Sequence, residues 1–141
     1  MHRDLKPENL LCEKSEDGQV IIKLTDFGFA THYNEDNPNT LSLGSPLYMA
    51  PELCRSKPYD SKVDVWAVGV ITYVLLSGQT PFTGTTKKEI YTKVIRNEAD
   101  LSRVRGSASA KTFIQACLKK AAADRPTAAE LLEHAWLKDV V

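Results

Sequence analysis

The run Val63-Asp64-Val65-Trp66-Ala67-Val68-Gly69-Val70-Ile71 constrains the fold most. It is apolar on every face of a helix, and such a helix belongs in the middle of a domain with other elements packed around it. With Ser61 or Asp60 as the cap, the pattern predicts a helix running to about Ser77 and ended by Gly78. The apolar stretch Val63 to Leu76 is too short to span a bilayer and holds Asp64, Gly69 and Tyr73, so it is a buried helix. Asp64 is its one carboxylate, and a buried carboxylate needs hydrogen-bond donors. A chain of 141 residues suits one domain, and 43% hydrophobic residues are enough to build a core around this helix.

The flanking sequence supplies the other layers. Leu10-Leu11-Cys12 and Val20-Ile21-Ile22 to Leu24 are short β-prone runs separated by polar residues with Asp17-Gly18 as a turn, which predicts a β-hairpin. Asn9 then lies just before one strand and Asp26 just after the other. Phe29 to Pro46 is a long loop, broken by Asn34, Asn37, Pro38, Asn39 and Gly44. Connections of this length are usually functional or mobile. A helical turn is expected over Tyr48 to Leu53, and an amphipathic helix over Thr86 to Arg96 with Ile90, Val94 and Ile95 inward. Ser107 or Ser109 caps a helix that turns Phe113, Ile114, Cys117 and Leu118 inward. Thr127 with Glu130 has capping-box spacing, and the last helix leads through Leu131 and Leu132 to His134-Ala135-Trp136-Leu137. The fold class is mainly α with one small hairpin.

The opening residues His2-Arg3-Asp4-Leu5-Lys6-Pro7-Glu8-Asn9 put a carboxylate, an ammonium and a carboxamide on one short loop. Asp4 can accept a proton from a hydroxyl, Lys6 can neutralise charge on a transferring group, and Asn9 offers an oxygen suited to a hard cation such as Mg²⁺. Alone, the string would also pass for a helix N-terminus with scattered charges. It is followed by Asp26-Phe27-Gly28 and then by Ala50-Pro51-Glu52. In that order, H-R-D-L-x-x-x-N, D-F-G and A-P-E form the protein-kinase set. The chain resembles the C-terminal lobe of a eukaryotic protein kinase of the serine/threonine type over essentially its whole length, as a partial kinase domain from the catalytic loop to the end of that lobe, residues 1–141. Val65-Trp66-Ala67-Val68-Gly69-Val70, Leu75-Leu76-Ser77-Gly78 and the ending His134-Ala135-Trp136-Leu137 look most like the calcium/calmodulin-dependent and calcium-dependent group. Gly44-Ser45-Pro46-Leu47-Tyr48-Met49-Ala50-Pro51-Glu52 is also seen in autophagy-initiating kinases.

The resemblance implies a role for each matching residue. Asp4 is similar to the catalytic base and Lys6 to the lysine set against the transferred phosphate. Asn9 and Asp26 are similar to the two Mg²⁺ ligands, with Gly28 letting the backbone swing after Asp26. Asp64 accepts bonds from the catalytic-loop backbone in the family, and Glu52 and Arg125 match its buried ion pair. His2 and Arg3 shape the loop, and Arg3 in many relatives meets a phosphate on the activation segment. That segment is Phe29 to Leu47 here. Thr40 and Ser42 are either phospho-acceptors or ordinary loop hydroxyls, and Glu35 and Asp36 could supply negative charge without phosphorylation. Ser45 matches the Thr or Ser that bonds the base. The implied co-substrate is ATP with Mg²⁺, and the implied partners are a protein substrate and an upstream kinase.

Other features set limits. Lys+Arg 18 balances Asp+Glu 18, which argues for neither a nucleic-acid nor a membrane partner. Cys12, Cys54 and Cys117 are an odd, scattered set that fits reduced thiols in a cytoplasmic or nuclear protein, and no signal peptide opens the chain. The family grips ATP with a G-x-G-x-x-G loop and a V-A-I-K lysine, and neither occurs in these residues. The expectation is therefore a C-lobe without its N-terminal lobe, with Met1 an internal methionine, an exposed apolar patch, and little activity in isolation. The alternative is a non-catalytic kinase-like binding or regulatory module.

Overall fold

The architecture was obtained as a computed structural model, which describes residues 1–34, 36 and 38–138. Among these are strands β1 (Leu10–Lys14) and β2 (Val20–Leu24). The helices are α1 (Pro51–Cys54), α2 (Lys62–Ser77), α3 (Lys87–Arg96), α4 (Ala108–Cys117), α5 (Ala128–Leu132) and α6 (Ala135–Lys138).

Helix α2 is the centre, and each of its flanks meets a different partner. Trp66, Val70 and Tyr73 join Met49, Leu53, Phe82, Val94 and Ile114 in the main core. Val65 packs with Phe113, Cys117 and Leu131, while Ala67 and Ile71 close over Leu5 of the N-terminal loop. The apolar run therefore has no polar side because most of its surface is packed against other elements, with Asp64 and Val68 half-buried. Each large side chain so enclosed stabilises the fold by about 1.5–3 kcal/mol. Gly69 sets the distance to α4: a Cβ there would lie 2.5 Å from Cys117 Cβ and 3.0 Å from Leu118 Cδ2. The helix ends as its sequence requires, at Gly78 with φ 73°, where the amide donates to Val74 O. At the other end Ser61 makes no side-chain cap, and Asp60 Oδ1 accepts from Lys62 N at 2.8 Å instead.

The remaining helix starts follow their caps. Thr86 Oγ1 accepts from Glu89 N, Ser107 Oγ from Ala110 N, and Thr127 and Glu130 form a complete capping box. Two expected elements are divided. The turn expected over Tyr48 to Leu53 is a 3₁₀ turn at Pro46–Tyr48 and the separate α1, with Met49 and Ala50 extended between them. The last helix breaks after Leu132, and His134 Nδ1 accepts from Trp136 N to start α6.

Strands β1 and β2 pair antiparallel from Leu10↔Leu24 to Lys14↔Val20. Their loop closes through Ser15 N to Gln19 O and Gly18 N to Ser15 O, with Gly18 at φ 84°. Leu11, Val20, Ile21, Ile22 and Leu24 are exposed. The apolar patch was expected on the central helix, and a groove of about 350 Å³ lies beside α2, lined by Met1, Leu5, Val65, Val68, Phe113 and Leu131 among others; the exposed apolar face of the hairpin was not expected. The three cysteines are free. Among the described residues no helix is long and apolar enough to cross a membrane.

Candidate active site

The N-terminal loop is held against α2 by one side chain. Asp64 Oδ2 accepts the His2 amide at 2.7 Å and Oδ1 accepts the Arg3 amide at 2.9 Å. Asp64 is half-buried rather than enclosed, and both its oxygens have the donors expected of it. These bonds hold Arg3 at φ 71°, a left-handed conformation that a non-glycine residue rarely adopts. The His2 ring fixes the next step. Its Nε2 lies 2.9 Å from Thr25 O, and its Nδ1 accepts from Asp4 N at 3.3 Å, so the proton sits on Nε2. Its ring meets Phe27 edge-on at 5.1 Å.

Asp4, buried by this arrangement, is the hub. Its Oδ1 accepts from Ser45 N at 2.9 Å and Ser45 Oγ at 3.0 Å, and its Oδ2 from Lys6 Nζ at 2.8 Å. Lys6 Nζ also donates to Ser45 Oγ at 3.0 Å, and Asn9 Nδ2 donates to Asp4 O at 2.9 Å. Burial pushes the Asp4 carboxyl up, but the hydrogen bonds from Lys6 and Ser45 and the Lys6 charge outweigh it, leaving the group below its ordinary value. The Lys6 ammonium is held above its ordinary value by its hydrogen bond to Asp4 and by the charges of Asp4, Glu8 and Asp26, against a smaller opposing effect of burial. Gly44 lets Ser45 approach. It sits at φ 103°, and a Cβ there would lie 2.6 Å from Arg3 O.

The hairpin brings the second group of residues to the same place. Asn9 closes a 3₁₀ turn at Pro7–Asn9 next to β1, and its carbonyl accepts from both Thr25 N and Thr25 Oγ1 beyond β2. Asp26 follows Thr25 and is exposed, with Oδ1 accepting from Gly28 N at 3.3 Å. The backbone swing expected at Gly28 lies two residues earlier. Asp26 itself is left-handed at φ 59°, and Gly28 sits inside a 3₁₀ turn where a Cβ would meet Asp26 Oδ1 at 3.2 Å. The donor set fits a magnesium ion in kind: a carboxamide whose nitrogen is committed to Asp4, and an exposed carboxylate. Two protein oxygens suit a cation that keeps several waters. Among the described residues no cluster of three or more His, Cys, Asp or Glu side chains gathers for a metal.

The other expected residues divide. Glu52 and Arg125 pair bidentately, at 2.7 Å and 2.8 Å. Arg3 donates to neutral acceptors: Nε to Phe29 O at 2.5 Å, and Nη1 to Asn39 Oδ1 at 3.2 Å and Tyr59 Oη at 3.1 Å. Thr40 is exposed. Ser42 Oγ donates to Leu53 O at 3.0 Å, as an ordinary loop hydroxyl does. Asp36 is exposed, and the expectation for Glu35 lies outside the described residues. Thr25, Asn39, Gly44 and Tyr59 were not expected from the sequence to matter. Only Gly44, as a glycine beside Ser45-Pro46, carried a local signal.

The protein kinase domain family matches residues 1–137. The chain is similar to a probable myosin light chain kinase of Dictyostelium discoideum, 38% identical over 98% of this chain and 36% of that protein. It is also similar to the calcium/calmodulin-dependent protein kinase type I of Schizosaccharomyces pombe, 41% identical over 99% of this chain and 43% of that protein. Similarity to calcium-dependent protein kinase 25 of Arabidopsis thaliana is 41% over 99% of this chain and 27% of that protein. The chain thus spans between 27% and 43% of the length of these relatives.

Proposed function

The chain belongs to the protein kinase family, and from that premise we propose that it carries the lower half of a serine/threonine phosphoryl-transfer site. The observation that supports this best is the Asp4–Lys6–Ser45 cluster, in which a buried carboxylate stays ionised beside an ammonium. Such transfer demands little covalent work from the protein; it needs positioning and charge neutralisation. Asp4 orients the acceptor hydroxyl of a protein substrate and takes its proton. Ser45 keeps the Asp4 carboxylate in one orientation, Asn9 holds the Asp4 backbone carbonyl, and Lys6 sets positive charge where the transferred group gains negative charge. Asn9 and Asp26 would hold magnesium, which when bound neutralises the phosphates of ATP. Glu52, Arg125 and Asp64 maintain the frame.

Tyrosine kinases usually carry another string where Lys6-Pro7-Glu8-Asn9 stands, so the acceptor is a serine or threonine. A cytoplasmic or nuclear setting fits the three free cysteines. Residues 1–141 alone should transfer phosphate poorly, because positioning of ATP supplies much of the rate and they hold no Gly-rich loop.

The test uses the full-length protein with Mg-ATP and a serine peptide. Asp4→Asn should lower kcat by roughly 10³-fold, within the usual range for a general base. Asp26→Asn should abolish magnesium-dependent ATP binding measured by calorimetry. Unchanged turnover in Asp4→Asn would overturn the assignment. No ATP binding and no transfer by the wild type would favour the binding-module alternative.

A further inference from the structure

Arg3 is in contact with the Phe29–Leu47 segment through neutral groups, and one side chain coordinates that contact. Tyr59, in the loop before α2, is buried to 4% exposure. Its hydroxyl accepts from Arg3 Nη1 at 3.1 Å and donates to Leu41 O at 2.9 Å. Its amide donates to Asn39 O at 3.1 Å, forming an isolated antiparallel bridge between Asn39 and Tyr59. Asn39 Oδ1 in turn accepts from Arg3. Residues 39 and 41 are therefore both fastened, on either side of exposed Thr40, to the arginine next to Asp4.

We propose that Tyr59 is a positioning residue that docks the activation segment on the catalytic loop without phosphate. The inference rests on the kinase reading above. The physical argument is one of satisfaction. A guanidinium close to a loop needs acceptors, and a phosphate on that loop is one way to supply them. Here Phe29 O, Asn39 Oδ1 and Tyr59 Oη supply them with no added charge. The consequence reaches the reacting group through the backbone: Arg3 precedes Asp4, and Arg3 O lies against Gly44, which carries Ser45 to Asp4. Phosphorylation of Thr40 then adds little to a segment already held.

The test uses full-length protein treated with a phosphatase and shown by mass spectrometry to carry no phosphate on Thr40 or Ser42. Tyr59→Phe removes only the hydroxyl and keeps the ring in the core. The wild type should phosphorylate a serine peptide in this state. The variant should lose about tenfold in kcat/KM for the peptide, as expected for one charge-assisted hydrogen bond, with the KM for Mg-ATP unchanged. Amide exchange should quicken over residues 39–43 in the variant and not in α2. The proposal is overturned if the dephosphorylated wild type is inactive and gains activity on phosphorylation at Thr40, or if the variant matches the wild type in both peptide kinetics and exchange. A wild type that transfers no phosphate in either state overturns the kinase reading instead, and the exchange comparison still decides whether Tyr59 holds the segment.

Discussion

Two ion pairs, Arg125–Glu52 and Lys6–Asp4, are built differently. Arg125 and Glu52 are closed. The Arg125 side chain is fully buried, and its five N–H groups all have acceptors: Glu52 Oε1 and Oε2, and the carbonyls of Lys62, Lys119 and Lys120. Asp4 and Lys6 are open. Lys6 remains 23% exposed, shares its donors between Asp4 and Ser45, and faces the place where Asn9 and the hairpin end converge. A pair with every hydrogen bond satisfied inside the protein can hold a frame and has nothing left to offer a ligand. A pair that keeps one partner in reach of water can exchange protons and contacts. The proposed location of the phosphoryl-transfer site rests on that difference rather than on the presence of charge.

The comparison can be broken by mutation. Removing the closed pair's cation should have the largest effect on stability. Arg125→Ala leaves Glu52 without its guanidinium and takes one donor from each of three carbonyls, so it should cost about 3–5 kcal/mol, measured by urea unfolding. Lys6→Met should cost only about 1 kcal/mol, because Ser45 still donates twice to Asp4 and Lys6 is partly solvated. That variant should nevertheless lose most of its peptide phosphorylation. Equal stability losses in the two variants would erase the distinction between a frame pair and a working pair.

A further test is a pH dependence. Asp4 lies below its ordinary value of 3.8, so its contribution to stability is full above pH 3.8 and is lost as pH falls further. Lys6 lies above its ordinary value of 10.5, so its contribution is full below pH 10.5 and is lost as pH rises beyond it. The open pair is thus flat between those limits. Lys120 behaves oppositely. Burial lowers it from 10.5 to about 8, against the pull of the Phe82 and Trp66 rings 4.3 Å and 5.0 Å away. The unfolded chain therefore binds more protons than the folded one from about pH 8, and stability should rise with pH up to about 9; above that the Cys54 and Cys117 thiols, pushed by burial from 9.0 to about 12, act in the opposite sense and end the rise. Lys120→Met should remove the rise in an unfolding series; a rise that persists would assign it to another group.

Much of the scaffold was legible in the sequence. The apolar run around Trp66 announced a central helix, and Asp17-Gly18 between β-prone runs announced the hairpin. Thr127 with Glu130 announced a cap that forms as written. The break at Glu133–His134 was missed because Leu131, Leu132, Trp136 and Leu137 maintain a helical pattern across it. Asp26 was missed as the left-handed residue because Gly28, nearby, is the residue that ordinarily takes that role. At the site, the motif order identified Asp4, Lys6, Asn9 and Asp26, and the fold brings them to one end of the hairpin. No local pattern marked Thr25 or Tyr59, because their importance lies in the residues that face them.

By itself the sequence determined the elements and the inventory of reactive groups, because caps, turns and apolar periodicity act over a few residues. The tertiary structure alone decided which groups meet. Ser45 reaches Asp4 across 41 positions, Tyr59 reaches Arg3 across 56, and Glu52 reaches Arg125 across 73. Those contacts exist only because the chain packs around α2, and burial is a property of the packed chain, with no counterpart in any short stretch of it.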